Sequence, residues 1–283
     1  MRDVHLCGRL ACFVFCQVLC LAAAGRPSAG QDKAGERPNA DSELNAERLG
    51  LMKRMADRYE LSRGADGKIP LERVSEPVLR WTNPVRGASD GCLFLWTDGD
   101  RPAAILSIYP SFGSNATQWD HEFQSLSGAV LVARRARAPV WFPEKPGIEW
   151  KFLTDSGSPA ESAPRRLSQI RSLAAKFSCT VTVRGDKTAL RLLTTPIYRY
   201  GDPKSEVIDG ALLAFAQGTD PELLLLLEAR AAGEKREWHY ALARLTMWEL
   251  EARIGDRAVW SAHEDRNADP KQPYLTIDRQ SAD

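Results

Sequence analysis

Three small groups of residues in this sequence have types and spacing that could do chemistry. Asp120-His121-Glu122 sets an imidazole between two carboxylates, the kind of set that holds a metal ion or moves protons. Tyr198-Arg199-Tyr200, within "PIYRY", puts a charge between two aromatic rings, as binding patches do. Asp90, Asp98 and Asp100 crowd the stretch "DGCLFLWTDGDRP" and could form an acid cluster.

The elements that must position these residues decide what they can do. "WDHEFQSLS" alternates apolar and polar residues, so it reads as a strand, and His121 points away from both of its acidic neighbours. That separates the metal-like set and leaves His121 as a core or rim residue. Motifs with firmer chemistry, namely HExxH, paired CxxC, GxGxxG and a phosphate-cradling glycine loop, do not occur. No catalytic residue, metal or cofactor is expected. Tyr198, Arg199, Tyr200, His121 and Glu122 remain as candidate binding residues.

The aspartates are explained by an internal repeat. Shifting the chain by 119 residues aligns 90–141 with 209–260 and gives 13 identities in 52 pairs, among them Asp90-Gly91 on Asp209-Gly210 and Trp119 on Trp238. Gly99 and Pro102 recur as Gly218 and Pro221, whereas Asp98 and Asp100 become Gln217 and Thr219. The turn residues are kept and the acids are not, so "TDGD" reads as a hairpin turn, and Asp90-Gly91 as a second turn. At a shift of 118, "RLGLMKRMADRY" meets "RLSQIRSLAAKF", one apolar helical face written twice. A shift of 112 sets "WTNPV" at Trp81 against "LTTPI" at Leu193; on that alignment only "PVRGA" faces "PIYRY", and Arg199 looks like an addition to the second copy.

Each copy therefore reads as a helix followed by four to five antiparallel strands. The expected fold class is α+β: a tandem duplication of a curved sheet packed on a helix, cystatin-like or hot-dog-like in its order of elements. The inhibitor loop QxVxG of cystatins is absent. "TDPELLLLLEAR" conflicts with this reading, because Asp220, Pro221 and Glu222 are helix-start residues. Its partner "GDRPAAILSIYP" is strand-like, and two copies of one fold should agree, so a buried strand is expected over 222–229.

Composition bounds the rest. Residues 1–30 carry Arg2 and Arg9 ahead of "LACFVFCQVLCLAAA", which reads as a secretory signal peptide cut near Ala24 or Gly30. Residues 31–40 form a leader, 41–153 the first repeat, 154–163 a Gly-, Ser- and Pro-rich linker, 164–262 the second repeat and 263–283 a polar tail. Without the signal, 35 basic face 36 acidic residues, a balance that favours neither nucleic acid nor an anionic membrane. Only Cys92 and Cys179 then remain, either bridged or as two buried thiols.

"LLTTPIYRY" and "DGALLAFAQGTDPE" resemble a family of uncharacterised exported proteins of planctomycete-type bacteria, across much of the second half. That resemblance implies no activity. The expectation is a secreted or periplasmic, non-enzymatic binding or interaction protein, whose partner is a small molecule or an envelope protein, with no nucleic acid and no membrane span after cleavage. Two alternatives stand beside it: a small-molecule hydrolase or isomerase with a pocket between sheet and helix, and a cell-envelope structural protein. A pocket gathering titratable groups from different strands would favour the enzyme.

Overall fold

In the first half, helix α1 (Ala40–Ala56) leads into β1 (Tyr59–Arg63), β2 (Ile69–Pro70), β3 (Glu72–Arg73), β4 (Leu79–Asn83) and β5 (Ala88–Asp98). There follow β6 (Arg101–Pro110), β7 (Gln118–Ser125), β8 (Leu131–Arg135), β9 (Ala138–Trp141) and the short β10 (Lys151–Phe152). In the second half, α2 (Ala163–Ala174) leads into β11 (Phe177–Val183), β12 (Asp186–Leu192), β13 (Tyr198–Tyr200), β14 (Val207–Gln217) and β15 (Asp220–Ala232). The chain closes with β16 (Lys235–Arg244), β17 (Glu249–Ile254), β18 (Arg257–Ala262) and β19 (Tyr274–Ser281). The structure is a computed structural model and describes residues 40–64, 66–83, 88–111, 113–114, 117–233 and 235–281. The expected signal peptide and the leader through residue 39 lie outside the described residues.

The α+β expectation is overturned. The protein is mostly β, 54% strand against 11% helix, with curled antiparallel sheets of many strands in place of a sheet packed on a helix. The apolar runs explain the difference. "CLFLW", "AAILSI", "ALLAFA" and "LLLLL" are strands buried on both faces, so strands build most of the interior and the two helices only cover parts of it. "TDPELLLLLEAR" is likewise extended, as β15, despite its helix-start residues: both its faces have a core to meet.

Alternation sorts those strands into three cores. Phe94, Leu106 and Phe123 face Met52 and Met55 of α1, and Leu213, Leu225 and Leu242 face Ile170 and Leu173 of α2. The opposite faces meet each other: Leu93, Leu95 and Ile105 pack with Leu212, Leu224 and Leu226. The two halves are thus joined by sheet-on-sheet packing.

Strand pairing repeats at the same shift as the sequence. Phe94 pairs with Leu106 where Leu213 pairs with Leu225, and the bulge between Trp96 and Thr97 recurs between Phe215 and Ala216. Trp81 sits opposite Gly91 as Tyr200 sits opposite Gly210, which corrects the 112-residue slip: the true partner of "PIYRY" is "PVLRW". The Asp-Gly pairs are not turns either, since both lie within strands. A Cβ on Gly91 would stand 2.4 Å from the Trp81 ring, and one on Gly210 2.4 Å from Tyr200, so each glycine lets an aromatic ring lie on the backbone.

The halves also exchange strands. β10, at the end of the first half, pairs with β16 of the second, and β19 pairs with β7 of the first. The polar tail expected over 263–283 therefore contains a strand, with Tyr274 and Leu275 buried. Its polarity misled because β19 is an edge strand whose second half, from Asp278 and Arg279 on, meets solvent.

A candidate binding cleft between the halves

The turn between β5 and β6 is built by Gly99, whose φ of +59° only glycine adopts freely, and nothing lies within 4 Å of where a side chain would start. Asp98 and Asp100 flank it, and Asp98 pairs with Arg63 at 3.1 Å. This hairpin tip leans toward the loop between β13 and β14 of the other half. Between them lies a cleft of about 300 Å³, lined by Asp98, Asp100 and Arg101 on one side and by Tyr200, Gly201, Asp202, Ser205, Glu206 and Val207 on the other.

The floor of the cleft is an ion cluster shared by both halves. Glu228 of β15 is fully buried. Arg101 grips it with two bonds of 2.8 and 2.9 Å, the Tyr200 hydroxyl donates to it at 2.9 Å, and Arg230 Nε donates at 2.7 Å. Burying a carboxylate costs several kcal/mol unless it is paired and hydrogen-bonded, and here its two oxygens accept four donors. Burial, then the Glu228 charge, raises the Tyr200 phenol well above its ordinary range. Trp150, just ahead of β10, lies against Arg101 and Arg230 with guanidinium-to-ring distances of 4.9 and 4.3 Å. The exchanged segment thus closes the cluster from behind.

The rim is acidic. Asp100 and Glu206 make no ion pair and no side-chain hydrogen bond among the described residues. Tyr198 stacks on Tyr200 at 6.1 Å and 17°, and its phenol is raised first by burial and then by the nearby charge of Asp100. An aromatic ring beside an unpaired carboxylate suits an organic cation.

The candidate residues read from the sequence fall in three places. Tyr200 lines the cleft and Tyr198 stacks beside it. Arg199, one residue along the strand, points to the opposite face and binds Asp209 at 2.6 Å, together with Arg166 of α2. The same pair exists in the first half as Arg80 and Asp90, again at 2.6 Å, so Arg199 is part of the duplicated scaffold and not an addition. His121 is enclosed in the α1 core, where its Nδ1 lies 2.6 Å from the Tyr59 hydroxyl; burial, then the charges of Arg135 and Arg58, lowers its pKa to about 3. Glu122, on the other face of β7, accepts a hydrogen bond from the buried Tyr274 hydroxyl. Burial pushes its carboxyl well above the usual range; the Tyr274 bond opposes the shift, and the charges of Asp220 and Glu222 add to it. The structure does not bring His121 or Glu122 to the cleft.

The duplicated counterpart of the cleft is built differently. There Thr219 stands for Asp100 and Thr82 for Gly201, and the two threonines bond each other: Thr82 N–H donates to Thr219 Oγ1 at 2.8 Å, and that hydroxyl donates to the Thr82 carbonyl at 2.9 Å. Asn83 donates to Asp220 at 2.9 Å, and Trp81 packs on Tyr109. One junction is bolted to itself, and the other is left open.

No family model, curated protein or solved structure matches this chain. The cleft is therefore read from its own geometry. Cys92 and Cys179 are free, buried thiols, each pushed up to about 12, mainly by burial, and they offer no nucleophile to it. Sequence reasoning missed Arg101 and Glu228, which are 127 residues apart and have no motif in common. The one signal was asymmetry: at the shift of 119, Arg101 meets Asp220 and Glu228 meets Tyr109, so a charged pair stands where the copies disagree.

Proposed function

We propose that this chain is an exported, non-catalytic binding protein that holds a small organic cation in the cleft between the 98–101 hairpin tip and the 200–207 loop. The observation that carries this reading is the difference between the two duplicated junctions. Where one bonds Thr82 to Thr219, the other presents Asp100 and Glu206 to open space, with Tyr200 in its lining. A rigid floor with an unsatisfied charged rim is what a preorganised pocket needs.

One observation favours an enzyme: the cleft gathers titratable side chains from both halves. Glu228, beneath the cleft, already accepts from Arg101, Arg230 and Tyr200, and the Ser205 hydroxyl donates to the Asp202 and Val207 carbonyls and to no side-chain base among the described residues. Binding therefore ranks first. Calorimetric titration with putrescine, spermidine and arginine, against succinate as an anionic control, tests it. Saturable binding of a cation that weakens at least ten-fold in Asp100→Asn with Glu206→Gln supports the reading. Binding of the anion alone, or cation affinity unchanged in that variant, sinks it.

A further inference from the structure

A second recess lies on the outer face of the first half, between α1 and the start of β7. It has a volume of about 780 Å³, and its lining includes Leu44, Glu47, Arg48, Leu51, Arg54 and Trp119. Trp119 is fully buried, and its indole N–H has no hydrogen-bond partner among the described residues, as is also true of Trp238 in the second half. Arg48 and Arg54 make no hydrogen bond or ion pair among the described residues, and Leu44 is 46% exposed.

The second half shows what such a recess accepts. Between α2 and the start of β16, the equivalent space holds the linker. Gln169 of α2 accepts from the Ala160 amide at 2.8 Å and donates to the Ser158 carbonyl at 3.0 Å. Arg166 donates to the carbonyls of Ala160 and Glu161 at 3.1 and 2.5 Å, and Pro159 is buried. At the helix shift of 118, Arg48 is the counterpart of Arg166 and Leu51 that of Gln169. The same shift carries Pro159, Ala160 and Glu161 onto residues 41–43, which are already helix in α1. Because α1 begins earlier than α2 within its repeat, the backbone that fills the recess in one half has gone into helix in the other.

We propose that the α1 recess is a docking site for an extended, acidic, proline-containing segment of a partner protein, held as the linker is held on α2. Arg48 donates to its backbone carbonyls, the proline sits toward Trp119, and Arg48 and Arg54 attract acidic residues such as Asp155 and Glu161 of the linker. This is independent of the cleft: a chain can bind its cation and lack this partner, or the reverse.

A synthetic peptide with the linker sequence LTDSGSPAE, residues 153–161, serves as the probe, titrated into the full chain labelled on its tryptophan indoles. Trp119→Phe identifies the Trp119 indole signal. The expected result is saturable binding that moves this signal and leaves that of Trp238 in place. Arg48→Ala should weaken binding about ten-fold, as for one lost charge-assisted hydrogen bond, and so should replacing the peptide's proline by glycine. Arg54→Gln, an exposed change that cannot disturb the core, should weaken it more at low salt than at high salt. Absence of saturable binding, or binding indifferent to both arginine variants, overturns the proposal. So does a peptide that binds only after residues 1–39 are removed, since the chain's own leader would then be the occupant.

Discussion

Replacing Tyr59 by Phe and His121 by Leu together should make the protein less sensitive to acid, by an amount that the burial of His121 sets. The imidazole is 1% exposed and its pKa is lowered from 6.5 to about 3, so it stays neutral in the native state where the unfolded chain takes up a proton. The unfolded state therefore binds more protons below pH 6.5. Stability is full above that pH and falls as pH drops toward 3, by about 1.4 kcal/mol per unit, or about 5 kcal/mol over the whole window. Between pH 7.5 and pH 5 the wild type should lose about 2 kcal/mol that the double variant keeps. Changing both residues matters, because the Tyr59 hydroxyl and His121 Nδ1 are partners at 2.6 Å, and removing one alone orphans the other. Urea unfolding of both proteins at pH 7.5, 6 and 5 measures the difference, and groups common to both cancel. If the two lose stability in parallel, His121 is not the enclosed neutral group described.

Three further outcomes follow from the same reasoning. Glu122 has the opposite sign: its carboxyl is raised well above 4.5, so the native state holds a proton that the unfolded chain releases, and its cost grows as pH rises above 4.5. Glu122→Gln should therefore raise the unfolding midpoint at pH 8 and have little effect at pH 4, as thermal melts at the two pH values will reveal. Glu228→Gln removes the charge between two guanidiniums and should destabilise the fold by about 3 kcal/mol in chemical denaturation. Gly91→Ala, which drives a methyl group into the Trp81 ring, should cost about 3 kcal/mol, whereas Gly99→Ala, with open space and only its φ against it, should cost about 1 kcal/mol; thermal unfolding of the pair ranks them.

How far these features could be read from the sequence depended on whether their cause was local. Repetition could be read because the same residues meet the same needs twice: Gly99 and Gly218 turn a hairpin, and Trp119 and Trp238 fill equivalent cores. It also carried β15 against its own helix-start residues. The Asp-Gly pairs were visible but misassigned, since a glycine under an aromatic ring and a glycine in a turn look alike until the ring is placed. Helix and sheet were misjudged in proportion because a run such as "LLLLL" does not say that both its faces are covered. Least legible were the contacts between halves. Nothing local distinguishes a strand that stays in its own repeat from β10 or β19, which leave it, nor marks Arg101 as the partner of Glu228.

On this reading the ligand sits at the open junction and not at the bolted one. Backbone amide shifts of the ¹⁵N-labelled chain, recorded against a mixed library of cationic, neutral and anionic fragments, test this without assuming a ligand. Cationic fragments should move Asp100, Arg101, Gly201 and Val207 while Thr82 and Thr219 stay still; shifts centred on Thr82 and Thr219, or no response at Asp100 and Gly201 to any fragment, would place the ligand elsewhere.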